Sequence, residues 1–155
     1  MTKRQCEIAA EAYAASILAR CGYDILVQYG AHQPHFDLAA VKGTRNLLIS
    51  VKGSKDGGWV LAPKSKGSTY QQAIDEWLQR QREDVVFMFV QFEEVKMSES
   101  PHIYIARPQE IAREMSSHKP GGYGVIYEAR KAKAPSAPYH IPSSWDFTAA
   151  LIDRI

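Results

Sequence analysis

The sequence predicts an α/β domain with a central mixed sheet flanked by helices. Three observations carry this. Strand-like and helix-like segments follow one another in the order α-β-β-β-α-β-β-α, so three strands precede a crossover helix and more strands follow it. Residues 85–92 form a run that is apolar at every position but Gln91, as expected of a strand covered on both faces. Finally, 155 residues with 45% hydrophobic and 23% charged content suit one soluble domain with a real core.

Each element has its own warrant. Residues 3–20 read as a helix, with Ile8, Ala12, Ala15 and Leu18 at helical spacing, Thr2 as a cap and Gly22 just past the end. Residues 23–29 read as a strand, and 30–34 as a turn. A second strand covers 36–41 and carries Asp37. After the turn at 42–46, a third strand runs over 47–53 and carries Ser50 and Lys52. A short strand at 59–61 leads into a basic loop with Lys64 and Lys66. A helix then runs to about residue 82, and Ser68 with Gln71 and Thr69 with Gln72 both have capping-box spacing. Beyond the apolar run come a strand at 102–106, a helix opened by Pro108, turn-rich 119–124 and a short run at 125–127. Residues 129–144, with three prolines, read as an extended loop, and 145–155 as a final short amphipathic helix capped by Ser143 or Ser144. Residues 1–128 are read as the main domain, and 129–155 as a Pro-rich extension whose helix packs on it.

Bulk charge narrows little. A net charge of +2 neither demands nor excludes a nucleic-acid partner. Cys6 and Cys21 are too few for a disulfide framework, and a reducing cytoplasm is the expected compartment. Glu7 and Glu11 interrupt the basic N-terminal stretch before any long apolar segment, and no run reaches the ~18 apolar residues of a membrane span.

The chemistry lies on the second and third strands. Side chains two apart on a strand share a face, so Ser50 and Lys52 point together, and a hairpin would bring Asp37 to them. A carboxylate inside an apolar run is costly unless paired or solvated. Asp37 therefore either belongs to a site or pairs with Lys42 or Arg45. Lys52 either joins that site or snorkels to water at a strand end. His32 and His35 have His-x-x-His spacing but no further ligand nearby in sequence, and read as loop residues.

With its helix, its Gly22-Tyr23 strand opening, its Asp37 preceded by Pro34 and Phe36, and its Ser50-Val51-Lys52, the chain resembles the PD-(D/E)xK nuclease superfamily of restriction endonuclease-like fold. Within it, the small Holliday junction resolvase type is the nearest in pattern. The resemblance covers about residues 7–107. It implies that Glu11 on the first helix, Asp37 and the Val51 backbone carbonyl hold Mg²⁺ or Mn²⁺, and that Lys52 assists the attacking water or the developing charge. The chain departs from the pattern at Ser50, where the family carries Glu. Ser50 could hold a water or a phosphate, and Glu11, Asp75 or Glu76 could replace the missing acid in space.

The implied function is metal-dependent endonucleolytic hydrolysis of DNA. The alternative is a weak or inactive nuclease-fold protein that binds nucleic acid or a protein partner. Lys55, Lys64 and Lys66 would meet phosphates, with Gln71 and Gln72 near the backbone; the bland readings are a solvated loop and helix caps. A homodimer would supply two sites for two strands, and no membrane is involved.

Overall fold

The computed structural model describes residues 1–27, 36–117, 124–128 and 141–155. His32, His35, Pro34, the end of the first expected strand and most of the Pro-rich stretch lie outside the described residues.

The fold is α/β, with a five-stranded mixed sheet flanked by helices, as the sequence predicts. Helix α1 spans Lys3–Arg20 and is followed by β1 (Asp24–Val27), β2 (Leu38–Lys42), β3 (Arg45–Ser54) and β4 (Gly58–Val60). Helix α2 (Tyr70–Gln79) crosses over to β5 (Val85–Gln91), which pairs with β6 (His102–Ala106) before α3 (Pro108–Ser117) and β7 (Val125–Tyr127). The main sheet has the order β1-β2-β3-β5-β6, and β4 with β7 forms a separate two-stranded sheet. The β1-β2-β3 meander is antiparallel, β3 and β5 are parallel, and β5 and β6 are antiparallel.

Alternation along β5 sorts the core into two layers. Val86, Met88 and Val90 pack with α1, through Ala10, Ala14 and Leu18. Val85, Phe87 and Phe89 pack with Ile74 and Trp77 of α2, Ile111 and Met115 of α3, and Trp59 and Ile126 of the small sheet. Every residue of β5 is buried, which is why its sequence lacks polar alternation.

Both long-helix caps form. Thr2 with Gln5, and Thr69 with Gln72, each make a reciprocal capping box. Three expectations need correction. Strand β2 starts at Leu38, so Asp37 precedes it. Helix α2 ends at Gln79 rather than near residue 82, with Arg80 as its C-cap. The expected helix over 145–155 is instead a 3₁₀ turn at Ser143–Trp145 and a separate α4 at Ala149–Ile152, because Thr148 rather than Ser143 or Ser144 caps α4. Trp145 and Ile152 are buried in the two layers.

Candidate active site

The site exists because two paired strands differ in length. β3 has 10 residues and β2 has 5, and Leu38 at the start of β2 faces Ile49. β3 therefore runs on past β2, and among the described residues the edge of its residues 50–54 on that side has no strand partner. The Asp37 backbone N–H still donates to the Ile49 carbonyl at 2.7 Å. Beyond it, the Asp37 side chain takes over the ladder. Its Oδ2 accepts from the Val51 N–H at 2.6 Å and from the Ser50 hydroxyl at 3.4 Å. A charge-assisted bond to a backbone donor fixes the carboxylate and satisfies an N–H that would otherwise be orphaned. The N–H and C=O of one strand residue point the same way in the sheet plane, so the Val51 carbonyl is directed to the same edge.

Asp37 does not pair with Lys42 or Arg45. Lys42 binds Asp153 at 2.9 Å, and Arg45 donates to the Ile152 carbonyl at 3.0 Å. Both of its sequence neighbours in charge thus serve to hold α4.

Ser50 and Lys52 emerge together on the face covered by α2, while Ile49 and Val51 pack toward α1. Ser50 is buried, and the ammonium of Lys52 lies 5.8 Å from the centre of the Phe87 ring. Among the described residues Lys52 makes no ion pair. Its carbonyl accepts from the Trp59 indole N–H at 2.8 Å, which anchors β3 at this level from the small sheet. Asp37, Ser50 and Lys52 line one cavity of about 340 Å³, together with Phe36, Phe87, Trp77, Arg80 and Gln81.

Glu11 sits on α1, on the other side of the sheet from Lys52, and does not line that cavity. It is nonetheless part of the same electrostatic neighbourhood. Burial first, and then the charge of Asp37, push its carboxyl pKa up, while Arg4 and Lys52 oppose the rise.

The other expected residues are not gathered here. Gln72 is spent on the α2 cap, and Gln71 donates to Asp75 at 2.8 Å. Both sit at the first turn of α2, whereas the cavity lies against its last turn. Glu76 pairs with Arg80 at 3.4 Å on the exposed side, so neither Asp75 nor Glu76 stands in for the missing strand acid. Lys64 lies over the Tyr70 ring at 5.2 Å, and Lys55, Lys64 and Lys66 are exposed and outside the cavity. Among the described residues no group of three or more His, Cys, Asp or Glu is placed to hold a metal.

Arg80 and Gln81 were not expected. Their signal was the continuation of the buried α2 stripe: Trp77 is followed three and four residues later by polar side chains with long reach.

No protein-family model matches the chain, and no curated protein matches it. Among solved structures it is similar to a bacterial homing endonuclease at 15% identity, with a TM-score of 0.45, over 84% of this chain and 79% of that one. That likeness is too distant to carry an argument. No helix among the described residues is long and apolar enough to cross a membrane.

Proposed function

We propose that the chain is a metal-dependent endonuclease hydrolysing phosphodiester bonds in DNA, with the PD-(D/E)xK pattern as its chemical plan. The observation that carries the reading is the anchored Asp37 carboxylate, tied to Val51 and Ser50, opening into the same cavity as a Lys52 without an anionic partner among the described residues.

The donor set fits a hard divalent cation sparingly. Mg²⁺ is usually held by one or two carboxylates, with waters and substrate phosphate completing its shell. Asp37, the Val51 carbonyl and Glu11 would hold it. Burial, and after it the charge of Asp37, raises the Glu11 pKa, so Glu11 and Asp37 lie near enough for their charges to interact. When bound, the ion would supply Lewis acidity toward the scissile phosphate.

The chain's own groups do the rest. Lys52 places a positive charge where negative charge builds on the phosphoryl oxygens, and it orients the attacking water. Ser50, hydrogen-bonded to Asp37, positions a water or a phosphate oxygen. Asp37 keeps the two strands in register while facing the reacting group.

The non-catalytic alternative has one specific support: among the described residues no third acid joins Asp37 and Glu11 in a metal-holding group. Incubating the protein with plasmid, branched and single-stranded DNA in Mg²⁺ or Mn²⁺ separates the two. Cleavage that falls by about 100-fold or more in Lys52→Ala, with the variant still folded by circular dichroism, is the expected result. Binding without cleavage in every metal would move the protein to the binding reading.

A further inference from the structure

We infer that a DNA strand crosses the free edge of β3 from the α1 side to the α2 side, with Arg4 and Arg80 holding the phosphates that flank the one at Asp37 and Lys52. The scissile role of that central phosphate rests on the proposed nuclease function; the two flanking contacts do not.

The edge comes from the fold. Among the described residues, 50–54 of β3 have no strand partner on the β2 side, so an extended backbone can approach Asp37 and the Val51 peptide from outside the sheet. The cavity that Asp37, Ser50, Lys52 and Arg80 line is open to solvent, which suits a strand passing over it rather than a group enclosed within it. Helices α1 and α2 pack on opposite sides of the sheet, and each brings one arginine toward this edge.

On the α1 side, Arg4, Glu7 and Glu11 recur at i, i+3 and i+7 and share one face of the helix. The Arg4 guanidinium lies 3.6 Å from the Glu7 carboxylate. Its charge is also felt at Glu11, the acid that interacts with Asp37 and Lys52. On the α2 side, Arg80 lines the same cavity as Lys52. It donates to the Glu76 carbonyl at 3.1 Å and to the Glu76 carboxylate at 3.4 Å.

Both arginines are loosely held. Their side chains are 74% and 73% exposed, and ion pairs that long and that exposed contribute little. A guanidinium released from such a carboxylate can meet two oxygens of one phosphate at once. Asp37 and Glu11 put negative charge at the centre of the edge, so cations on its flanks are what would draw an anionic backbone to it. Contacts of this kind set the position of the strand and not its sequence.

The test reads binding without divalent metal. Anisotropy of fluorescein-labelled duplex and single-stranded DNA is followed over a series of salt concentrations. The proteins are wild type, Arg4→Gln, Arg80→Gln, the double variant, and Arg113→Gln at an exposed position of α3 outside the cavity. Each edge variant should lower the slope of log affinity against log salt by about 0.7–1, and the double variant by about twice that, on whichever form binds. Affinity should fall about tenfold per arginine at about 0.1 M salt. Arg113→Gln should keep the wild-type slope, and circular dichroism should show every variant folded. A purely structural defect would weaken binding and leave the slope alone. An unchanged slope in either edge variant, an equal loss in Arg113→Gln, or no DNA binding by wild type overturns the inference. Wild-type cleavage in Mg²⁺ or Mn²⁺ is read in parallel. The expected slopes with no cleavage sink the nuclease and leave the strand path standing; cleavage with unchanged slopes does the reverse.

Discussion

Glu11 and Asp37 hold two acidic groups near one another, and the chain gives only part of the compensation. Burial and the Asp37 charge raise the Glu11 pKa above its unfolded value. The sign follows from linkage. A raised folded pKa means that the folded state binds the extra proton, so stability is fully present below the unfolded value of about 4.3 and declines as pH rises through the folded one. Near neutral pH, ionised Glu11 therefore weakens the fold. Glu11→Gln should raise the melting temperature there by about 1–2 °C, a modest figure because solvent screens the partly exposed group. The gain should disappear toward pH 4. Thermal melts across that range decide it, and a variant that melts lower than wild type at pH 7 would remove Glu11 from the acidic neighbourhood. The sequence made Asp37, Ser50 and Lys52 legible, because strand alternation alone puts the last two on one face. It did not reveal Arg80 and Gln81. Which turn of α2 lies over β3 depends on the crossover angle, which local periodicity does not encode.

At the level of elements, the close contact between α1 and β3 decides where Glu11 can be. The buried stripe of α1 is Cys6, Ala10, Ala14 and Leu18, three small residues and one large. Gly53 of β3 fits beneath it. A Cβ at that position would lie 2.8 Å from the Cys6 carbonyl and 2.9 Å from the Ala10 Cβ, both closer than packed atoms tolerate. Gly53→Ala should thus push α1 off the sheet and destabilise the protein by about 1–3 kcal/mol, as overpacking does. Denaturant titration reads this directly; an unchanged midpoint would mean that the helix can shift at no cost. The strand that carries Gly53 is also the one whose overhang makes the site, so strand length, helix spacing and Asp37 form one arrangement. The sequence showed the elements well where one signal dominated, as in the apolar run of β5 or the Thr69–Gln72 cap. It failed over residues 145–155, where Trp145 and Ile152 belong to different core layers and the chain must break between them.

The two sheets of the molecule are joined by a polar knot that links residues far apart in the chain. Glu128, just past β7, accepts at Oε1 from the Tyr104 hydroxyl at 2.5 Å and lies 2.5 Å from the His102 Nδ1. Its Oε2 accepts from the Gln91 amide at 2.8 Å, and Gln91 is buried at the end of β5. Burial would raise the Glu128 pKa, but the hydrogen bonds from Tyr104, Gln91 and His102 outweigh it and hold the carboxyl below its ordinary value. Burial and the bond to Glu128 also push the Tyr104 hydroxyl up, which keeps it a donor. Residues 91, 102, 104 and 128 share no local pattern, so only the folded register brings them together. Trp59 then packs edge-on against Phe89 and Tyr104, with ring centres at 5.2 and 6.4 Å, and its indole N–H reaches the Lys52 carbonyl. The knot thus braces the strand level that presents Lys52. Glu128→Gln keeps the shape but turns one oxygen into a donor that faces donors. It should cost about 1–3 kcal/mol at pH 7. A lowered folded pKa has the opposite sign to that of Glu11: its stabilisation is present above the unfolded value and is lost as pH falls through the folded one. The difference between wild type and Glu128→Gln should therefore be largest at neutral pH and close toward zero in acid, where protonated Glu128 already resembles the amide. Urea titrations at a series of pH values check this, and a difference that stays constant with pH would show that the variant acts through packing and not through the charge.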